Sequence, residues 1–170
     1  MKIKKFLKSK KGFTLIELLL VIGIISILMG IAIIAINPAA QFAKANNARR
    51  WGDVSAIANA ISLKIVEDKG LWGLSGNCED LLAINDGAKK ALAADPAPDD
   101  PAIVDICDCI VPSYLGSVPL DPSTGVAPTA LPCTGYDTKY EISRNAAGRI
   151  TISATAQAEG GTTPVISVTR

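Results

Sequence analysis

Residues 13–36 read FTLIELLLVIGIISILMGIAIIAI, an apolar run of 24 residues in which Glu17 is the one charged side chain. As an α-helix this run would be about 36 Å long, at 1.5 Å per residue. The hydrocarbon layer of a bilayer is about 30 Å thick. The length and composition therefore predict a single membrane-spanning helix, and this helix separates a short basic segment from everything that follows.

The basic segment predicts the orientation of this helix. Residues 1–12 contain six lysines and no acidic residue, and by the positive-inside rule such a flank stays cytoplasmic. We therefore expect residues 37–170 to be extracytoplasmic. A secretory signal peptide also begins with basic residues, but its apolar stretch is only about 7 to 15 residues long, so the length favours a retained single-pass anchor. The lysines are Lys2, Lys4, Lys5, Lys8, Lys10 and Lys11.

Composition excludes several classes of function. The chain of 170 residues has no histidine, which rules out His-based triads and His-ligated metals. No Ser, Cys or Asp lies in a recognisable catalytic motif, so we expect no enzyme activity. From residue 13 onward the formal charge is −5, with 11 basic and 16 acidic residues. Because phosphate neutralisation supplies most non-specific affinity for nucleic acid, we expect no direct nucleic-acid binding.

The junction between the basic segment and the apolar run carries a more specific pattern, Lys11-Gly12-Phe13-Thr14-Leu15-Ile16-Glu17. This string resembles the type IV prepilin signature, in which a basic leader ends in Gly, an aromatic residue follows, and Glu is fifth in the mature chain. The resemblance is specific over residues 1 to about 40. It implies that a membrane-embedded prepilin peptidase cuts between Gly12 and Phe13 and methylates the new amine of Phe13. Residues 1–12 would then be a cleaved leader.

The resemblance also implies a function. The chain would be a pilin, a structural subunit that polymerises through its N-terminal helix into a helical homopolymer, the type IV pilus. Implied partners besides copies of itself are the prepilin peptidase, a membrane platform protein and an extension ATPase. The subunit would lie in the cytoplasmic (inner) membrane before assembly and at the cell surface afterwards.

Two alternatives to the pilin remain open. A pseudopilin of a type II secretion or DNA-uptake machine shares the same leader and helix. A protein of another class, a single-pass anchored extracytoplasmic binding domain that never polymerises, has the same anchor.

Glu17 needs a partner, because an acidic side chain in a spanning helix costs about 2.5 to 3.5 kcal/mol at the bilayer centre and less near its edge. The simpler interpretation places Glu17 in the first helical turn, where the helix dipole favours a carboxylate. The resemblance implies a second role, in which Glu17 pairs with the amine of Phe13 in a neighbouring subunit and sets the axial register of assembly.

Pro38, in Ile36-Asn37-Pro38, follows the apolar run. Many members of the resembled family carry a proline earlier, at the position of Ile34. A proline inside a helix removes one backbone hydrogen bond, and Asn before Pro can also cap a new helix. Either effect predicts a bend near residue 37.

Residues 37–70 are predicted to form an amphipathic helix that continues into the head, with Gly70 as its carboxyl cap. Apolar residues recur there at intervals of three to four, which is typical of one buried helix face. The apolar stripe comprises Trp51, Val54, Ile57, Ala58, Ile61 and Ile65, while Arg49, Asp53, Leu63, Lys64 and Glu67 lie off it.

Residues 71–170 are expected to form an extracytoplasmic α+β head. Residues 140–143 and 149–154 alternate apolar with polar side chains and are joined by a turn, which predicts a hairpin, and residues 165–169 repeat the alternation. Asn77 is expected to cap a short helix through Ile84. The predicted fold class is thus α+β, a long N-terminal helix packed on a small antiparallel sheet.

Four cysteines, Cys78, Cys107, Cys109 and Cys133, lie in the exported part, and an even count there suggests two disulfides. A bridge between Cys107 and Cys109 would be strained. Cys78 is therefore expected to pair with Cys107 or Cys109, and Cys133 with the other.

No cofactor is predicted for the head. Several aspartates occur in one proline-broken stretch and could supply oxygen ligands for calcium, as related pseudopilins bind calcium in a head loop. Their spacing is not that of an EF-hand, so we assign no metal ligands. These aspartates are Asp95, Asp99, Asp100, Asp105 and Asp108.

Overall fold

A computed structural model describes residues 12–70, 84, 87–94, 102–129 and 133–170. The chain divides into two compact units, Met1–Ala39 and Ala40–Arg170. In chain order the described elements are α1 (Leu15–Ile36), α2 (Pro38–Glu67), β1 (Lys90–Ala93), β2 (Ile103–Val104), α3 (Cys107–Ile110), β3 (Asp137–Arg144), β4 (Ile150–Ala154) and β5 (Ile166–Thr169).

The described part of the first unit is dominated by α1, a helix of 22 residues in which every side chain is exposed. By length and composition α1 is sufficient to cross a membrane. The helix ends at Asn37, which has left-handed backbone angles (φ 45°, ψ 75°). Helix α2 starts at the next residue, Pro38. Proline is favoured at the first position of a helix, because an N–H there would have no partner within the helix. The helix is thus interrupted where Asn37-Pro38 predicts it, whereas a bend at Pro38 stays a prediction.

Helix α2 presents one face to the head, as its apolar spacing predicts. Two residues of α2 differ from the prediction in how far they are buried. Trp51 is 41% exposed, since it lies at the margin of the buried face. Lys64 is buried, since it follows Ile61 by three residues and so shares its face, and its ammonium pairs with Asp68 at 3.0 Å. The buried residues of α2 are Ala43, Asn47, Arg50, Val54, Ile57, Ala58, Ala60, Ile61 and Lys64.

The sheet has the strand order β2-β1-β3-β4-β5. The predicted hairpin is confirmed, with β3 and β4 antiparallel from Tyr140↔Ala154 to Arg144↔Ile150. The predicted third strand, β5, pairs antiparallel with β4. Strands β1 and β2 pair parallel and were not predicted, because the last three residues of β1 are all apolar and show no alternation, and β2 is only two residues long.

The α+β fold class is confirmed, and its core lies between α2 and one face of the sheet. Along β3, Thr138, Tyr140 and Ile142 point inward while their neighbours point outward, as period-two geometry requires. Tyr140 and Ile142 belong, together with α2 residues such as Ile57 and Ile61, to one continuous apolar cluster. Gly70, with φ 88°, follows the last turn of α2 and donates its N–H to the Ile65 carbonyl, as expected of a carboxyl cap.

The structure decides between the disulfide alternatives for one pair. Cys107 is bonded to Cys133, and Cys109 is also disulfide-bonded. Cys78 lies outside the described residues, as does most of the helix predicted between Asn77 and Ile84.

Two neighbouring apolar residues of α2 provide a test of this packing. Ile61 is 1% exposed and Leu63 is 57% exposed. We expect Ile61→Ala to lower the free energy of unfolding by about 2 to 5 kcal/mol, because it leaves a cavity in the core. Leu63→Ala should change it by less than about 0.5 kcal/mol. Urea unfolding of the full chain in detergent measures both, and equal losses would contradict the assignment of the buried face.

Candidate functional site

The residues of the predicted processing and assembly site lie at the start of α1. Thr14 is the N-cap, and its hydroxyl oxygen accepts the N–H of Glu17 at 3.3 Å. The backbone N–H and the hydroxyl of Thr14 both donate to Glu17 Oε2, at 2.9 and 2.8 Å. This reciprocal arrangement is a capping box, which satisfies donors that the first helical turn leaves free. The simpler interpretation of Glu17, an acid in the first turn, therefore holds for the isolated chain.

Gly12 and Phe13 precede the cap and are not helical. Phe13 is exposed. The capping box is formed between Thr14 and Glu17, which both follow Gly12. Removal of a leader after Gly12 would thus leave α1 capped and free the amine of Phe13 one residue before the cap.

Residues 7–33 match the family model of the prokaryotic N-terminal methylation motif. The chain carries a type IV prepilin-like leader. The match covers Gly12, Phe13 and Glu17, and it ends within α1. No curated protein and no solved structure matches the chain. The motif indicates a pilin- or pseudopilin-like protein, and such proteins are structural subunits anchored through the helix that the motif opens.

A second cluster of polar residues lies where α2 packs against the head. Arg50 is 2% exposed and binds Asp121 through two nitrogens, Nε to Oδ2 at 2.5 Å and Nη2 to Oδ1 at 3.2 Å. The Asp121-Pro122-Ser123-Thr124-Gly125 segment is a turn, and Asp121 Oδ1 also accepts the N–H groups of Ser123 and Thr124 at 2.9 Å. Gly125 is required, because a Cβ there would lie 2.7 Å from the Asp121 nitrogen.

The charge state of Asp121 follows from these contacts. Burial by itself would raise its pKa, but the hydrogen bonds from Arg50, Ser123 and Thr124 outweigh burial and hold the pKa of Asp121 well below its usual range. The carboxylate is therefore ionised at neutral pH, and the buried Arg50 has a full counter-charge.

Two further contacts flank the ion pair. The side-chain amide of Asn47 makes two hydrogen bonds to the backbone of Gln157. Its Oδ1 accepts the N–H of Gln157 at 2.9 Å, and its Nδ2 donates to the carbonyl of Gln157 at 2.8 Å. The Tyr140 hydroxyl donates to Asp53 Oδ2 at 2.8 Å, and burial together with this bond raises the pKa of Tyr140. We call this set the polar joint: Asn47, Arg50 and Asp53 on α2, with Gln157, Asp121 and Tyr140 in the head.

The polar joint was not predicted, although the sequence contains a signal of it. Asn47, Arg50 and Asp53 are spaced by three and run directly into the apolar stripe at Val54. Polar residues that extend an apolar helix face are either solvated or paired in the fold, and sequence spacing does not distinguish the two.

Among the residues that the structure describes, no group of three or more His, Cys, Asp or Glu side chains is arranged to hold a metal ion. Asp105 instead accepts the Tyr136 hydroxyl at 2.6 Å and the Cys107 N–H at 3.0 Å. The other members of the calcium hypothesis, apart from Asp108, lie outside the described part of the chain: Asp95, Asp99 and Asp100.

The lowered pKa of Asp121 predicts a pH dependence. A carboxyl group whose pKa is lower in the folded state contributes stability above its unfolded pKa and loses it as the pH falls through the folded value. The contribution should thus be complete at pH 7 and decline once the pH falls below about 4. Asp121→Asn should cost about 3 kcal/mol at pH 7, since it leaves Arg50 buried without its counter-charge, and should cost less at pH 3.

Urea unfolding at pH 7, 5 and 3 measures this dependence. Asp137→Asn is the matched control, because Asp137 pairs with Lys139 at a partly exposed position and should cost less than about 1 kcal/mol. A cost of Asp121→Asn that does not change with pH would contradict the assignment.

Proposed function

We propose that the chain is a pilin, the structural subunit of a type IV pilus, which is cleaved between Gly12 and Phe13, methylated at Phe13 and polymerised through α1 into a helical homopolymer. The observation that carries the proposal is the methylation motif over residues 7–33, placed at the start of a 22-residue apolar helix whose side chains are all exposed. Such an apolar helix must be surrounded by lipid or by protein, and polymerisation replaces its contacts with lipid by contacts with other subunits.

Location and partners follow from the same proposal. Before assembly the subunit lies in the cytoplasmic membrane with its head outside, an orientation that the basic leader favours. The Cys107–Cys133 disulfide agrees with an oxidising compartment for the head. Processing requires a prepilin peptidase, and extension requires a membrane platform protein and an ATPase. The finished pilus lies at the cell surface, and we expect neither enzyme activity nor direct nucleic-acid binding.

Glu17 supports assembly in this proposal by binding the Phe13 amine of a neighbouring copy. Both bonds from Thr14 fall on Glu17 Oε2, so Oε1 can accept the ammonium group without loss of the capping box. Formation of the pair offsets the burial of both charges as α1 leaves the membrane edge. The intrachain cap and the intersubunit pair are thus compatible roles of one carboxylate.

Cleavage is tested by the mass of the intact protein. The mature subunit should begin at Phe13 and carry one methyl group on its amine. Gly12→Leu should retain residues 1–12, because the side chain is added at the bond that the peptidase must accommodate. If the wild-type protein keeps its leader in every molecule, the result would contradict the pilin proposal and support the alternative, an anchored binding domain that does not polymerise.

Assembly is tested by neutralising Glu17. Glu17→Leu and Glu17→Gln should be processed and inserted into the membrane normally, but filaments should be lost, because the Phe13 amine has no counter-charge. Glu67→Gln is the control, since it removes an acid from an exposed position of α2. Filaments sheared from cells and counted by electron microscopy give the yield, and a normal yield from Glu17→Leu would refute the role.

The same shearing experiment separates the pilin from the pseudopilin. Long surface fibres that contain this chain favour a pilus. Filaments that never extend beyond the envelope favour a type II secretion or DNA-uptake machine, and the leader and α1 serve either equally well.

A further inference from the structure

The interface between α2 and the head changes character along the helix. On α2, the residues of the polar joint lie between positions 47 and 53, and apolar contacts with the head then follow from Val54 to Ile65. Helix α2 begins at Pro38, the end that the chain connects to α1. Of the buried residues of α2, Ala43 alone precedes the polar joint. The polar joint is therefore the part of the interface that is nearest along the chain to α1.

The two kinds of contact respond differently to displacement. A helix uses its interior backbone groups for its own hydrogen bonds, so α2 is attached to the head through side chains. Apolar burial is non-directional and scales with area, so contacts of this kind can slide with gradual loss. A hydrogen bond weakens steeply when its length or angle departs from the optimum. Polar contacts thus resist small movements that apolar contacts allow.

The polar joint is attached to three separate parts of the head. Asn47 binds the backbone that follows β4, at Gln157. Arg50 binds the Asp121 turn, where its Nη2 also reaches the Ser123 hydroxyl at 2.7 Å. Asp53 accepts from Tyr140 in β3. Because the three anchors are not on one loop, a movement of α2 relative to the head must break bonds in all three places.

We propose that the polar joint is a mechanical clamp that carries tension between the filament-forming helix and the head. The inference rests on the proposed function, because such tension arises only when α1 is fixed in a filament and the head is attached to something outside it. Tension from α1 enters α2 at Pro38 and reaches the polar joint before the apolar contacts. The directional bonds there prevent α2 from peeling off the head from that end.

The experiment uses filaments of the full chain that are tethered to a surface through their heads and exposed to a protease, with and without laminar flow. The measured quantity is the ratio of head cleavage under flow to cleavage at rest. Tyr140→Phe removes the hydroxyl that binds Asp53 and keeps the buried ring. Ile61→Val is the matched control, since it removes one buried methyl group from the apolar part of the same interface.

We expect flow to accelerate cleavage of Tyr140→Phe heads about fivefold more than cleavage of wild-type heads, in keeping with the loss of one hydrogen bond from the loaded contact. The ratio for Ile61→Val should equal that of the wild type, although both variants lower the melting temperature. Ser123→Ala removes a hydroxyl that contacts both Arg50 and Asp121 of the polar joint, and this second variant should also raise the ratio.

Equal ratios for joint variants and the control would overturn the clamp while leaving the pilin proposal intact. A wild-type protein that forms no filaments would instead overturn the proposed function before any flow is applied.

Discussion

The exposed apolar surface of α1 is the constraint on which the rest of this protein depends. Water would have to cover 22 residues whose side chains the chain itself leaves unburied, and the cost of exposing that much apolar surface is large. The helix must therefore be in lipid or against other protein. A subunit that is stored in the membrane and later polymerises has this surface covered in both states, first by lipid and then by neighbouring subunits. The leader, the cap at Thr14 and the separately folded head are all consistent with such a subunit.

The carboxylate of Glu17 and the guanidinium of Arg50 illustrate two ways in which the protein places charge in an apolar setting. Glu17 lies at the helix start, where backbone and hydroxyl donors satisfy one oxygen and leave the other accessible. Arg50 is buried with Asp121 and is hydrogen-bonded to both Asn47 and Ser123. An exposed, half-satisfied charge can change partners, whereas a fully bonded buried pair fixes one geometry. The first suits an assembly step, and the second suits a rigid attachment.

Predictions from the sequence succeeded where a pattern repeats over many residues. The apolar run of α1, the stripe of α2 and the alternation in β3 and β4 each follow a period that neighbouring residues alone determine. Predictions failed where a neighbour in space decides. Strand β2, for example, is two residues long and exists because β1 pairs with it. No local pattern predicts that Arg50 is buried, because its partner, Asp121, lies 71 positions away in the chain.

By itself, the sequence determined that a basic leader precedes a membrane-length helix with one acid in its first turn, because leader, Gly-Phe junction and helix are contiguous and need no other part of the chain. It also determined an α+β head, through local periodicity. Only the tertiary structure decided which cysteine Cys107 bonds, how β1 and β2 extend the sheet, and that Asn47, Arg50 and Asp53 attach α2 to three parts of the head. Those features join residues far apart in the chain, and such pairings depend on packing that no local pattern encodes.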